Sequence, residues 1–126
     1  MLELQRSVDM AKHYSLYLYL DDIREFNIES TTPKCINFYV DVQSVNEAIS
    51  IVNNYIDLGV DEIWFDLDHD LGEYADDGGD AIKLIDWIVE NFHDDNSVTF
   101  KFHFHSMNPV GVENMRNAVE KYWEVF

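Results

Sequence analysis

Basic residues are scarce in this chain: 8 Lys and Arg stand against 25 Asp and Glu, for a formal net charge of −17 over 126 residues. Affinity for nucleic acid rests largely on cations that neutralise phosphates, so duplex binding is disfavoured, while the same field attracts divalent cations. Cysteine is almost absent. Cys35 stands alone, which excludes an intrachain disulfide and a one-chain thiolate metal cluster and fits a reducing cytoplasm. No stretch approaches the roughly 20 apolar residues of a membrane span, and the N-terminus lacks a basic segment leading into a long apolar core. The expectation is a soluble, cytoplasmic protein with no membrane partner. Repeats, low-complexity tracts and Pro/Gly/Ser-rich linkers are also missing. With 47% hydrophobic and 14% aromatic residues, a chain of this length can bury the core of one domain but not of two. That domain is expected over 14–126, with residues 1–13 a weakly patterned arm left unassigned.

Four strands are expected. Ser15 to Leu20 alternates Leu with Tyr and is apolar on both faces, which suits a sheet interior. Ile36 to Val42 and Glu62 to Phe65 are rich in β-branched and aromatic residues, and Val98 to His105 alternates strictly, as an edge strand would. Helices separate them. Ser44-Val45-Asn46-Glu47 is a capping box, with Val45, Ala48, Ile49, Val52 and Ile56 on one stripe and Gly59 at the end. Ile82, Ile85, Ile88, Val89 and Phe92 form a second stripe, preceded by a Gly78-Gly79 turn with Asp77 or Asp80 as cap. Asn108-Pro109 opens a third helix that carries Val112, Met115, Val119 and Tyr122 inward. Trp64, Trp87 and Trp123 read as core. The polar connection from Arg24 to Pro33 is too short for a good crossover helix, so a loop or short helical turn is expected there. Right-handed strand-helix-strand units give a mainly parallel, three-layer α/β fold with four strands in the order 2-1-3-4.

The chemistry gathers where strands should end. Asp66-Leu67-Asp68-His69-Asp70-Leu71-Gly72 crowds three carboxylates and an imidazole directly after Ile63-Trp64-Phe65, and Asp21-Asp22, followed by Arg24, closes the first strand. Ligands of open α/β sheets bind outside the carboxyl ends of the strands, so Asp21, Asp22 and Asp68 should converge, with Asp70 close by. Their hard oxygens suit Mg²⁺, Mn²⁺ or Ca²⁺, with Mg²⁺ the first choice. An EF-hand loop is rejected, because Leu71 stands where that loop needs Gly and Asp77 where it needs Glu. His69 and His105 come from different strand ends and could share one phosphate, one accepting and the other giving a proton. Arg24 fits a phosphate contact and a salt bridge to its acidic neighbours equally well. Ser106 and Asn108, at the start of the third helix, lie where an anion is held naturally.

Four motifs in order, Leu18-Tyr19-Leu20-Asp21-Asp22-Ile23-Arg24, Asp68-His69-Asp70-Leu71-Gly72, Asp77-Gly78-Gly79-Asp80 and His105-Ser106-Met107-Asn108-Pro109-Val110-Gly111 with Asn114-Met115, resemble the receiver domain of response regulators. The likeness is greater to its offshoot, the cyclic-phosphate processing receiver domain. The resemblance implies a flavodoxin-like fold, Mg²⁺ bound by Asp21, Asp22 and Asp68, a phosphoryl acceptor at Asp68 and a phosphate-binding hydroxyl at Ser106. Receivers also carry a lysine after a fifth strand, which has no counterpart in this reading. The offshoot implies metal-dependent hydrolysis of a cyclic phosphate on a nucleotide or RNA end, as expected of a small phosphoesterase of phage or bacterial type. Against it stand a non-enzymatic signalling module phosphorylated at Asp68 and an accessory protein that binds a protein partner through its acidic surface.

Overall fold

The computed structural model describes residues 13–26, 33 and 35–126. The expected N-terminal arm, except for His13, and the centre of the Arg24 to Pro33 connection lie outside the described residues. Five parallel strands form one sheet: β1 (Ser15–Leu20), β2 (Phe38–Val42), β3 (Glu62–Leu67), β4 (Thr99–Phe104) and β5 (Glu124–Val125), in the order β2-β1-β3-β4-β5. The first four follow the expected order. The fifth corrects the four-stranded reading, and it removes β4 from the sheet edge by pairing with Lys101 and Phe102. At two residues it is too short for periodicity to reveal. β3 also continues two residues beyond Phe65, through Asp66 and Leu67.

Three α-helices are described, α1 (Val45–Asp57), α2 (Ala81–Phe92) and α3 (Pro109–Val119), with a 3-10 turn over Gly72–Asp76. Ser44 caps α1 by accepting from the Glu47 amide at 3.1 Å, while the Glu47 carboxylate reaches back to the Gln43 amide at 2.8 Å. The Glu47 amide in the first turn and the Gln43 amide just before the cap are thereby satisfied. Asn108 does the same for α3 through the Gly111 amide at 3.0 Å, and Pro109 occupies the first turn, where a missing N–H costs nothing. The α2 start differs from expectation. Asp80 stands at the cap position but turns its carboxylate to the Leu71 amide, 2.9 Å away, and Asp77 binds Ser44 Oγ and Asn46 Nδ2 at the start of α1 instead. Tyr122 lies beyond α3 and is exposed rather than inward, whereas Met115 and Val119 are buried.

From β2 to β3, β3 to β4 and β4 to β5 the chain steps across the sheet in one direction. Right-handed crossovers then put all three helices on the same face. The core agrees: Leu16, Leu18, Leu20, Ile63, Phe65, Leu67, Phe100 and Phe102 from alternate strand positions join Ala48, Val52, Leu84, Ile85, Ile88, Met115 and Val119 in one buried cluster. Side chains alternate along a strand, so Tyr17, Tyr19, Trp64, Asp66, Lys101 and His103 face the other way. There Phe26 stacks on Tyr17 at 4.9 Å and lies 5.3 Å from Tyr19, and Lys101 sits over Trp64 at 4.5 Å.

Phe65 is fully buried between Phe100 and Phe102, with ring centroids 5.6 and 5.1 Å away. Phe65→Ala is expected to lower stability by about 3–5 kcal/mol, read as a lower urea midpoint with an unchanged slope.

Candidate functional site

Register assembles the site. Leu20 pairs with Leu67 and Leu67 with Phe104, so the next residues along β1, β3 and β4 are Asp21, Asp68 and His105, in a row at the carboxyl ends. The ladder still holds all three, through the Asp21 amide to Val42 O (3.2 Å), the Asp68 amide to Leu20 O (2.9 Å) and the His105 amide to Leu67 O (3.0 Å). One donor atom from each of Asp21, Asp68 and His105 lies within 4.8 Å of the others, the one such group among the described residues. Two carboxylates and an imidazole at this spacing can surround a single divalent cation.

Asp22 and Asp70, expected in the same set, lie outside it. The residue after Asp21 points elsewhere, and Asp22 Oδ2 sits 2.7 Å from where a β-carbon on Gly72 would stand. Gly72 has φ +56, so glycine there meets both the backbone and the space requirement. Asp70 is drawn instead to His69 Nδ1 (2.8 Å) and Asn108 Nδ2 (3.1 Å). The His69 and Asn108 bonds hold its carboxyl below the usual carboxylate range. His69 thus belongs to a second cluster beside the first. Its ring rests on the first turn of α3, where a β-carbon on Gly111 would fall 2.5 Å from the ring's Cγ. Ser106 Oγ accepts from the Asn108 amide at 3.1 Å in the same turn. Asp68 Oδ1 accepts the His69 amide at 2.8 Å and so joins the two clusters.

Asp21 is nearly inaccessible. Its Oδ1 accepts the amides of Ile23 and Arg24, both at 2.9 Å, and its Oδ2 meets Arg24 Nε at 3.1 Å and His105 Nε2 at 2.9 Å. Arg24 therefore makes the salt bridge of its two expected roles, while its side chain remains half exposed. Burial alone would raise the Asp21 pKa, but the two amides and His105 outweigh it and the net direction is down. His105 lies between two acids, with Nδ1 2.6 Å from Asp66 Oδ1, and Tyr19 stacks flat on its ring at 4.6 Å and 2°. Burial would lower its pKa, but the bonds and charges of Asp66 and Asp21 raise it above 6.5. Burial and the charges of Asp21 and Asp66 also push the Tyr19 hydroxyl up to about 12.

Asp66, Tyr17 and Tyr19 were not singled out from the sequence. The signal was present: with β3 running to Leu67, a period of two puts Asp66 and Asp68 on one face. Asp66 is buried, and its Oδ2 accepts from the Tyr17 hydroxyl at 2.6 Å.

A parallel sheet with central β1 and β3, and acids from both converging at their carboxyl ends, defines a receiver-like α/β domain. The sequence profile of the cyclic-phosphate processing receiver domain matches residues 16–121, and the chain belongs to that family. Among solved structures, the RcsB response regulator of Salmonella typhimurium is similar at 16% identity and a TM-score of 0.49, over 91% of this chain and 52% of that one. The chain thus spans about half the length of that regulator. No curated protein matches it.

Two outcomes follow from this geometry. His105 has its folded-state pKa above 6.5, so the stability it contributes is fully present below 6.5 and is lost as pH rises through the folded value. In metal-free protein the urea midpoint should fall on that alkaline side, and His105→Gln should abolish the fall. Gly111→Ala favours the α3 helix by about 1 kcal/mol in propensity but puts a methyl group where the His69 ring lies. The imidazole NMR signals of His69 should shift while those of His93 stay in place.

Proposed function

We propose that the chain hydrolyses a cyclic phosphate on a nucleotide or RNA end with a divalent cation held by Asp21, Asp68 and His105. The observation that carries this reading is the convergence of those three donors within 4.8 Å at the strand ends of a domain from the cyclic-phosphate processing family. The donor set fits Mg²⁺ or Mn²⁺, and its one imidazole nitrogen favours Mn²⁺ over a purely oxygen-bound Mg²⁺. Bound there, the ion would supply Lewis acidity to a phosphoryl oxygen.

The chain's own residues supply the rest. His69 is fixed through Nδ1 by Asp70, so its Nε2 is the nitrogen available for proton exchange with the substrate. Water adds to phosphorus, the bond to one ester oxygen breaks, and that oxygen needs a proton as it leaves; an imidazole at this position takes or gives it. Ser106 and the N-terminal turn of the 11-residue α3 offer dipoles to the phosphate, and the half-exposed Arg24 offset its charge. A second reading has its own support. Asp68 is partly accessible at the end of central β3, the position of the phosphoryl acceptor in receivers, so a non-enzymatic module phosphorylated at Asp68 remains the alternative. In that reading the acidic surface serves a protein partner.

The test is a panel of nucleoside 2′,3′-cyclic phosphates with Mg²⁺ or Mn²⁺. Asp68→Asn and His69→Ala should each lower the rate by about 10²–10⁴-fold, while the exposed His93→Ala leaves it unchanged. Equal rates in all four proteins would remove the hydrolytic assignment. No turnover, together with a phosphoryl adduct after incubation with acetyl phosphate and Mg²⁺, would establish the second reading.

A further inference from the structure

Asp66 is a buried acid that the proposed reaction leaves without a task. It is 6% exposed on the sheet face opposite the helical core, and it is not among the three converging donors. Removing a carboxylate from water costs several kcal/mol unless partners compensate, so its presence requires specific contacts. Both oxygens have one: Oδ1 lies 2.6 Å from His105 Nδ1, and Oδ2 accepts from the Tyr17 hydroxyl at 2.6 Å. A hydrogen on Nδ1 satisfies the contact with Asp66, whereas the longer contact on the other nitrogen is to an oxygen of Asp21 that already accepts from Arg24 Nε. The flat stack of Tyr19 on the imidazole holds the ring plane, and the opposite nitrogen, Nε2, faces Asp21 Oδ2 at 2.9 Å.

We propose that Asp66 is a positioning residue: through the shorter of the two acid contacts it keeps a hydrogen on His105 Nδ1, so that Nε2 is the nitrogen that gives up its hydrogen and presents a lone pair to the cation site formed with Asp21 and Asp68. The inference rests on the metal reading above and adds to it the tautomer on which His105 depends. Histidine ligands generally donate their other N–H to a carboxylate or carbonyl, which fixes ring orientation and strengthens the ligand; losing that partner costs about 10–100-fold in metal affinity. Tyr17 extends the chain by one step, since its hydroxyl restrains the oxygen of Asp66 that His105 does not use.

Two measurements test this. In metal-free protein, at a pH where the imidazole is neutral, long-range ¹⁵N–¹H correlations should place the His105 hydrogen on Nδ1. A wild-type hydrogen on Nε2 overturns the proposal without reference to any metal. Calorimetric titration with Mn²⁺ should show about 10–100-fold weaker binding in Asp66→Ala and partial recovery in Asp66→Asn, whose amide oxygen can still accept from Nδ1. Unchanged Mn²⁺ affinity in both variants overturns the positioning role. Should Asp66→Ala not fold, the wild-type tautomer and the Asp66→Asn affinity decide the matter. Absence of Mn²⁺ uptake by wild type with the hydrogen on Nδ1 overturns the metal reading instead, and leaves the tautomer assignment in place.

Discussion

Two acids buried at the end of a parallel sheet need hydrogen-bonding partners, and the His105 imidazole stands between them. Asp21 and Asp66 are 2% and 6% exposed, and each reaches one nitrogen of the same imidazole. Removing the imidazole would take one partner from each acid in a nearly dry environment, a change more costly than the loss of a surface ion pair. The remainder of the site is arranged around this contact. Arg24 and two amides complete Asp21, Tyr17 completes Asp66, and Tyr19 holds the imidazole plane.

The backbone makes the contact possible. β1, β3 and β4 are in parallel register, so three residues separated widely in sequence become neighbours at one height. Their amides still bond to the ladder, which fixes the donors more firmly than a free loop would. The helices add a second element. α3 begins immediately beyond β4, and its first turn, with Asn108 as cap and Gly111 without a side chain, gives His69 a surface on which to rest. The chain belongs to the cyclic-phosphate processing receiver family, and the two clusters lie side by side at the strand ends of its sheet.

Much of this was legible in the residues. Strand alternation located β1 and β4, the Ser44 to Glu47 box and the Asn108-Pro109 pair located two helix starts, and the strand order followed from crossover handedness. The misses have physical causes. β5 is two residues long and carries no period, so its pairing with β4 came from tertiary contact alone. Asp80 has the right identity for a helix cap, but the Leu71 amide competed for its carboxylate. The three donors that converge are Asp21, Asp68 and His105, while Asp22 Oδ2 lies beside Gly72 and a nearby histidine and asparagine hold Asp70. Tyr122 lies past the end of α3, where helical periodicity no longer governs direction.

Read alone, the chain determined its class, its strand order and the short list of acids and histidines from which a site would be drawn, since those depend on local periodicity and on residue chemistry. Which members of that list meet was decided only by tertiary structure. Donor convergence is a matter of a few ångströms between strands far apart in sequence, and neighbouring positions on a strand face opposite ways. Hence Asp21 and Asp68 stand together with His105, Asp22 and Asp70 stand aside, and Asp66, inconspicuous within a run of acids, lies buried behind the imidazole.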